Sequence, residues 1–246
     1  MHRVGLIVPS SNTTMETELP ELFARRSERF TWHTARVRMT RVTPEELDAM
    51  VRASDIAALM LADAPVEAIA YACLVAVMCR GPGAHREVEA RLEAALEEAP
   101  RQPPVVSSAG ALVSGLHALG ARRVAMITPY LRPLTDEVAA YVRSEGFEVS
   151  EAVALEVPDN VAVGRLDPAA LVPEARRLAA GGVDAIVLSA CVQMPSLPVV
   201  QQVEDELGVP VLTAATATAR ELLLTLGLDP VVPRAGRLLA APVLAS

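Results

Sequence analysis

The feature that most constrains the fold is a repeat of the whole sequence pattern about halfway along the chain. Residues 3–9 read RVGLIVP, and residues 123–129, which lie 120 positions later, read RVAMITP. A cysteine follows the final proline of each segment at a similar distance: Cys73 lies 64 residues beyond the first proline, and Cys191 lies 62 residues beyond the second. A period this long indicates two domains of similar fold rather than a solenoid of short repeats.

Each half alternates short apolar runs, typical of buried strands, with longer amphipathic segments, typical of helices. The predicted strands are Val4–Pro9, Thr31–Arg38, Glu67–Ala72 and Val105–Ser107 in the first half, and Arg123–Pro129, Phe147–Leu155, Asp184–Ser189 and Val209–Thr213 in the second. The predicted helices that follow them are Leu19–Arg26, Pro44–Leu61, Gly83–Glu98, Ala109–Leu119, Pro133–Ser144, Pro168–Ala180, Ser196–Leu207 and Ala214–Leu226. Only 3% of the residues are aromatic, so Ala, Val and Leu must fill the core, which favours helices packed on parallel sheets.

We therefore predict an α/β protein with two pseudo-symmetric domains, each built on a parallel four-stranded sheet. The N-terminal domain is predicted to span residues 1–109 and the C-terminal domain residues 110–213, with the C-terminal segment, about 214–246, able to pack back on the N-terminal domain. Ligands of open α/β sheets bind at the carboxyl ends of the strands. Because the third strand of each half ends at or near its cysteine, we expect Cys73 and Cys191 to face each other across a cleft between the domains.

Simple burial is the alternative interpretation of these cysteines, because free cysteine is among the most frequently buried residue types. The equivalent positions of Cys73 and Cys191 in the two halves favour a functional role. Cys79 has no counterpart in the second half, so we expect it to be structural.

The composition excludes several kinds of chemistry. The 22 basic residues are all arginine, so the chain has no lysine for a pyridoxal phosphate Schiff base or a Walker A motif. The four histidines show no metal-ligand spacing, and we expect neither a metal nor a cofactor. The formal charge of -8 opposes binding to nucleic acids, so an anion site must be built locally from backbone N–H groups and neutral side chains.

The chain is also expected to be cytoplasmic. No apolar run approaches the roughly 18 residues of a membrane span, and the first residues lack the order of a signal peptide. The three cysteines, an odd number, indicate free thiols in a reducing compartment. We therefore expect no contact with membranes.

Neutral hydrogen-bond donors follow several predicted strands. Asn12 lies in the polar segment Ser10–Thr14 after the first strand, and Tyr130 lies at the matching place after the first strand of the second half. Asn160 follows the second strand of the second half. Helix capping and turn formation are the alternative roles for these polar residues.

Three segments together resemble bacterial maleate cis-trans isomerases, a family of the aspartate/glutamate racemase superfamily. They are VPSSNTTMETE at residues 8–18, YACLVA at residues 71–76 and SACVQMP at residues 189–195. The resemblance extends over nearly the whole chain. It implies two similar four-stranded parallel α/β domains of the aspartate/glutamate racemase type, with the active site in the cleft between them.

The resemblance also implies roles for individual residues. Cys73 is similar to the family nucleophile, and Cys191 is similar to its acid/base partner. The substrate-binding set implied in this way comprises Asn12, Tyr130, Asn160, Leu74, Val75 and Val192. The implied partner is a small dicarboxylate, maleate, and we expect a homodimer or a higher homo-oligomer.

The implied reaction needs no cofactor. A thiolate adds to one carbon of the maleate double bond, the remaining single bond rotates, and elimination gives fumarate. A free cysteine has a pKa near 8.5, so we expect the pKa of the nucleophile to be lowered. The alternatives are a two-cysteine amino-acid racemase, a decarboxylase of the same superfamily and a non-catalytic protein that binds small anions.

Overall fold

The computed structural model describes residues 1–240 and contains two parallel four-stranded sheets. The strands are β1 (His2–Pro9), β2 (Phe30–Val37), β3 (Ala68–Tyr71), β4 (Val105–Ser107), β5 (Arg123–Thr128), β6 (Glu148–Ala154), β7 (Ala185–Ser189) and β8 (Val211–Thr213). The first sheet has the order β2-β1-β3-β4, and the second repeats it as β6-β5-β7-β8. The predicted fold class is therefore confirmed.

Ten helices connect and cover these strands within the described residues. They are α1 (Met15–Ala24), α2 (Pro44–Ala62), α3 (Leu74–Met78), α4 (Ala84–Ala95), α5 (Ser108–Ala118), α6 (Arg132–Ser144), α7 (Asn160–Val163), α8 (Leu171–Ala179), α9 (Leu197–Leu207) and α10 (Ala214–Thr225). The short helices α3 and α7 were not predicted, because five or four residues give too few turns for a periodic pattern.

The predicted start of the first helix at Leu19 is wrong. Helix α1 begins four residues earlier, at Met15, and contains Pro20 in its interior rather than in its first turn. The side-chain oxygen of Asn12 accepts the backbone N–H of Met15 at 3.1 Å, which satisfies one of the donors left free at a helix start. The prediction placed Pro20 in the first turn because proline is most frequent there, and this put the start of the helix too late.

The central strands β1 and β5 explain why both repeated segments are so apolar. Each is paired with a parallel strand on either side, and helices cover both faces of the sheet. Leu6 and Ile7 of β1 and Met126 and Ile127 of β5 are completely buried. A strand that is buried on both faces must be apolar at consecutive positions, which is the pattern seen in the sequence.

The last helices of the two halves pack against each other and against both sheets. Helix α10 contacts α5, and it also contacts β3 and β4 of the first sheet. A Cβ added to Gly115 of α5 would lie 3.3 Å from Leu212 of β8, so this helix also approaches the second sheet closely. The domain boundaries near residues 109 and 213 remain predictions, and residues 241–246 of the predicted C-terminal segment lie outside the described part of the chain.

None of the helices in residues 1–240 combines the length and the apolar character that crossing a membrane requires.

Candidate active site

The two predicted catalytic cysteines lie at equivalent places in the two halves. Cys73 comes two residues after the end of β3 and occupies the N-cap position of α3, and Cys191 comes two residues after the end of β7. Both are buried, with exposed fractions of 1% and 6%. Charge on Cys191 would raise the pKa of Cys73, so the two sulfur atoms belong to one electrostatic environment. The two thiols therefore interact electrostatically across the two halves of the molecule.

Burial controls the protonation of Cys73. Removal from water raises the pKa of its thiol to about 12, and a hydrogen bond from the backbone N–H of Ala76 opposes this rise only in part. The prediction that the pKa of the Cys73 thiol is lowered is therefore wrong. The cause is the surrounding hydrophobic core, of which Cys73 is a member, since an apolar environment penalises the thiolate.

Cys191 has more donors around its sulfur. Burial raises the pKa of this thiol as well, but the hydroxyl of Tyr130 and the backbone N–H groups of Gln193 and Met194 all act in the opposite direction. The N–H of Gln193 lies 3.3 Å from the Cys191 sulfur. Negative charge on Glu18 raises the pKa of Cys191 further. Tyr130, predicted from the sequence to bind substrate, thus lies beside this sulfur.

Asn12 and Asn160 take part in a buried network that joins the two halves. The side-chain amide of Asn12 donates to the carbonyl of Val192 at 3.2 Å. The side-chain amide of Asn160, which is the first residue of α7, donates to the hydroxyl of Ser11 at 2.7 Å. Both amides are therefore oriented by contacts between the halves. The loop after β1 in the first half meets the loops after β6 and β7 in the second.

The remaining predicted binding residues flank the cysteines. Leu74 and Val75 are the first two residues of α3, and Val192 follows Cys191 directly. All three side chains are buried. Backbone N–H groups in the first turn of a helix have no acceptor within that helix, so Leu74 and Val75 present donors next to the Cys73 sulfur.

A small cavity lies beside two of the predicted binding residues. It has a volume of about 170 Å³ and lies against Tyr130 and Asn160. The rest of its lining is apolar and includes Leu134, Val157 and Val163. Two uncharged hydrogen-bond donors therefore line a cavity that is otherwise mostly apolar.

Within residues 1–240, no three side chains of His, Cys, Asp or Glu lie close enough together to hold a metal ion. The three cysteines are free thiols.

Sequence reasoning missed two residues that shape the site. Gln193 donates its side-chain amide to the carbonyl of Asn160, and its backbone N–H contacts the Cys191 sulfur. Glu18 is a buried carboxylate on α1. The sequence pattern could have indicated that Glu18 is buried. It lies on the same helical face as the buried Met15, Leu19 and Leu22, where an apolar residue is expected.

Comparison with known proteins identifies the family. The arylmalonate decarboxylase family model matches residues 4–239. A maleate isomerase of Geobacillus stearothermophilus is 51% identical over 243 residues, which cover 97% of this chain and 97% of the relative. The chain belongs to the maleate isomerase family. The family and the enzyme class, an isomerase, are thereby confirmed as predicted from the three sequence segments.

Solved structures of maleate isomerases share the whole fold. A cysteine-to-alanine variant of the Pseudomonas putida S16 maleate isomerase, crystallised with maleate, superposes with a TM-score of 0.95 at 48% identity and 98% coverage of both chains. A cysteine-to-serine variant of the Nocardia farcinica maleate cis-trans isomerase, which contains a covalently bound succinylcysteine intermediate, gives a TM-score of 0.94 at 51% identity. The match covers 97% of this chain and 98% of the Nocardia chain.

Proposed function

We propose that this chain catalyses the cofactor-independent cis-trans isomerisation of maleate to fumarate. The observation that supports it most is the pair of buried cysteines at equivalent strand ends of two pseudo-symmetric sheets, in a chain of the maleate isomerase family. Maleate cannot rotate about its double bond, so the enzyme must convert that bond temporarily into a single bond. A sulfur nucleophile with a separate proton donor is sufficient for this purpose.

The reaction proceeds by addition, protonation, rotation, deprotonation and elimination, and it needs no other reagent. The Cys73 thiolate forms a bond to C2, and the π electrons move toward C3 and its carboxylate. The Cys191 thiol then donates a proton to C3, which gives a succinyl group bound to Cys73. After rotation about the C2–C3 bond, the Cys191 thiolate removes a proton from C3. The double bond re-forms as the C2–S bond breaks, and fumarate leaves.

Neutral donors stabilise the charge that develops on the substrate. The side chains of Asn12, Tyr130 and Asn160, together with the backbone N–H groups at Leu74, Val75 and Val192, are proposed to bind the two carboxylates. A single well-placed donor of this kind can stabilise a transition state by about 3–4 kcal/mol. Because no lysine is present, these dipoles must supply the stabilisation that an ammonium group would otherwise give.

The direct test is to incubate the purified chain with maleate, without additives, and to follow the appearance of fumarate. The racemase alternative predicts instead that the protein incorporates deuterium at the α-carbon of aspartate or glutamate in D₂O. The decarboxylase alternative predicts release of carbon dioxide from an arylmalonate, and the binding-protein alternative predicts no turnover. Absence of fumarate would overturn the proposal.

The pH dependence of the reaction follows from the protonation of Cys73. Because burial raises the pKa of this thiol to about 12, the reactive thiolate is a small fraction at neutral pH. Its population then increases about tenfold per pH unit below the pKa. We expect kcat/KM for maleate to rise with pH from about 6.5 to 9, measured where circular dichroism shows the fold intact. A flat profile would show that the Cys73 proton is transferred within the complex instead.

Replacement of Asn12 by alanine is expected to lower kcat/KM for maleate by about 10²-fold, because a donor to a substrate carboxylate is lost. Asn12 also donates to the Val192 carbonyl, so the far-ultraviolet spectrum and the melting temperature must be measured alongside the kinetics. Thr13→Ala is the matched control, since the Thr13 side chain next to it is exposed. Unchanged kinetics in a folded Asn12→Ala variant would limit Asn12 to capping α1.

We further propose that the chain forms a homodimer or a higher homo-oligomer in the cytoplasm. The cytoplasmic location is proposed because a reducing compartment would keep the three thiols free. The assembly is proposed because helix α2 presents two large apolar side chains one turn apart, Ile56 and Met60, which are 65% and 66% exposed. Sedimentation equilibrium of the wild type and of an Ile56→Glu, Met60→Glu double variant tests the assembly, and a monomeric wild type would contradict it.

A further inference from the structure

Glu18 is a buried carboxylate that joins the two halves of the molecule. It lies on α1 of the first half, is 5% exposed, and takes part in no ion pair within residues 1–240. One of its oxygens accepts the backbone N–H groups of Ser196 and Leu197 from the second half, at 2.6 and 2.7 Å. These two donors lie at the N-terminus of the 11-residue helix α9. Glu18 therefore fixes the end of the loop that begins at Cys191.

Two neighbours of Glu18 hold the same loop at other points. The Thr14 hydroxyl donates to the carbonyl of Gln193 at 2.7 Å, and the Asn12 amide donates to the carbonyl of Val192 at 3.2 Å. The N–H of Gln193 in turn contacts the Cys191 sulfur. One segment of the first half thus determines the backbone path of the loop, and this path determines the donors around the sulfur.

Glu18 also acts on Cys191 through its charge. Burial raises the pKa of the Glu18 carboxyl to about 7, with a smaller contribution in the same direction from Glu21 on the same helix. When Glu18 is ionised, it raises the pKa of the Cys191 thiol. The other titratable groups that interact with this thiol are Tyr130, from the loop after β5, and Cys73.

We propose that Glu18 is a positioning residue of the isomerisation, which holds the Cys191 loop in place and keeps Cys191 in the protonated form that donates to C3. The second part of this role rests on the proposed function. The electrostatic effect on Cys191 itself can be measured without maleate.

The test is the rate at which iodoacetamide alkylates Cys191, followed by peptide mapping at low conversion so that only this thiol is counted. Glu18→Gln keeps an oxygen that can accept both N–H groups but removes the charge. At about pH 8.5, where Glu18 is ionised in the wild type, we expect the variant to react at least about threefold faster. At about pH 6, where most of the wild-type carboxyl is protonated, we expect the two rates to agree.

Glu204→Gln is the matched control. Glu204 is also buried, and it accepts the backbone N–H of Val211 at 2.8 Å, but this contact lies within the second half. We expect this variant to alkylate Cys191 at the wild-type rate at both pH values. A loosened loop would raise the rate equally at both pH values, whereas loss of the Glu18 charge raises it only at the higher one.

Three results would overturn the inference. They are an unchanged rate in folded Glu18→Gln at about pH 8.5, the same ratio at both pH values, and an equal effect in Glu204→Gln. Glu18→Asp retains the charge on a shorter side chain. We therefore expect any increase in its alkylation rate to come from a loosened loop and to occur at both pH values, not at about pH 8.5 alone. An increase in Glu18→Asp at about pH 8.5 that is absent at about pH 6 would also overturn the inference. This variant takes the place of Glu18→Gln in the test if Glu18→Gln does not fold.

Kinetics with maleate then test the link to the reaction. We expect Glu18→Gln to lose more of its kcat at about pH 9 than at about pH 6, with KM unchanged, because the proton donor is depleted only at the higher pH. An equal loss at both pH values would overturn the catalytic part of the inference. If the wild type does not isomerise maleate while the alkylation result stands, the proposed function fails and the effect of Glu18 on Cys191 remains.

Discussion

Replacement of Cys73 by serine is expected to lower the rate of maleate isomerisation by about 10³-fold or more. A serine hydroxyl has nearly the same size, but it ionises far less readily than a thiol and is a much weaker nucleophile. The fold should survive, because the two side chains are close in size and the backbone N–H of Ala76 can hydrogen-bond to the serine oxygen. Fumarate formation measures the effect, and circular dichroism reports the fold.

Cys79→Ser provides the matched control for this experiment. Cys79 is the C-cap residue of the same short helix that Cys73 begins, and it has no equivalent in the second half. We expect this variant to keep most of the wild-type activity. A Cys73→Ser variant with more than about a tenth of the wild-type rate would remove Cys73 from the role of nucleophile.

Replacement of Cys191 by serine is expected to trap the covalent intermediate. Cys73 can still add to maleate in this variant, with the C3 proton supplied by the serine hydroxyl or by water. Removal of the C3 proton, which must precede elimination, loses its base. Intact-mass spectrometry after exposure to maleate should therefore show an increase equal to one maleic acid. Peptide mapping should place this succinyl group on Cys73, and steady-state turnover should fall by about 10²-fold or more.

The same experiment separates the isomerase from the racemase. A two-base racemase forms no bond between sulfur and carbon, since its two cysteines only exchange protons with the α-carbon. If Cys191→Ser forms no adduct, and the wild type labels aspartate or glutamate with deuterium, the proposed reaction is wrong. Cys191→Ala provides a second variant, because alanine cannot relay a proton through a hydroxyl.

The fold and the equivalent positions of the two cysteines could be predicted because they follow from local patterns. Strand β1 is apolar at consecutive positions, and its counterpart β5 repeats the pattern 120 residues later. This repeat predicted two sheets of the same topology. The position of Cys73 and Cys191 after the third strand of each half predicted that the two residues share one site. Both inferences depend only on the order of residues along the chain.

Two of the features that were missed depend on contacts between distant segments. The pKa of Cys73 is raised because several elements of the core surround it, and sequence spacing does not report this burial. Glu18 meets Ser196 only because α1 and α9 come from different halves. The start of α1 was missed for a local reason. The Asn12 side chain accepts the N–H of Met15, whereas the prediction placed Pro20 in the first turn, where proline is most frequent.

The position of α10 has a consequence for how the enzyme is made. This helix is the last long element of the described chain, yet it covers β3 and β4, and β3 leads to the proposed nucleophile Cys73. During synthesis, the N-terminal sheet therefore emerges from the ribosome well before the helix that completes its cover. The N-terminal sheet cannot finish burying its apolar surface alone, so it depends on a helix from the C-terminal part of the chain. The nucleophile becomes enclosed only when almost the entire chain has been translated.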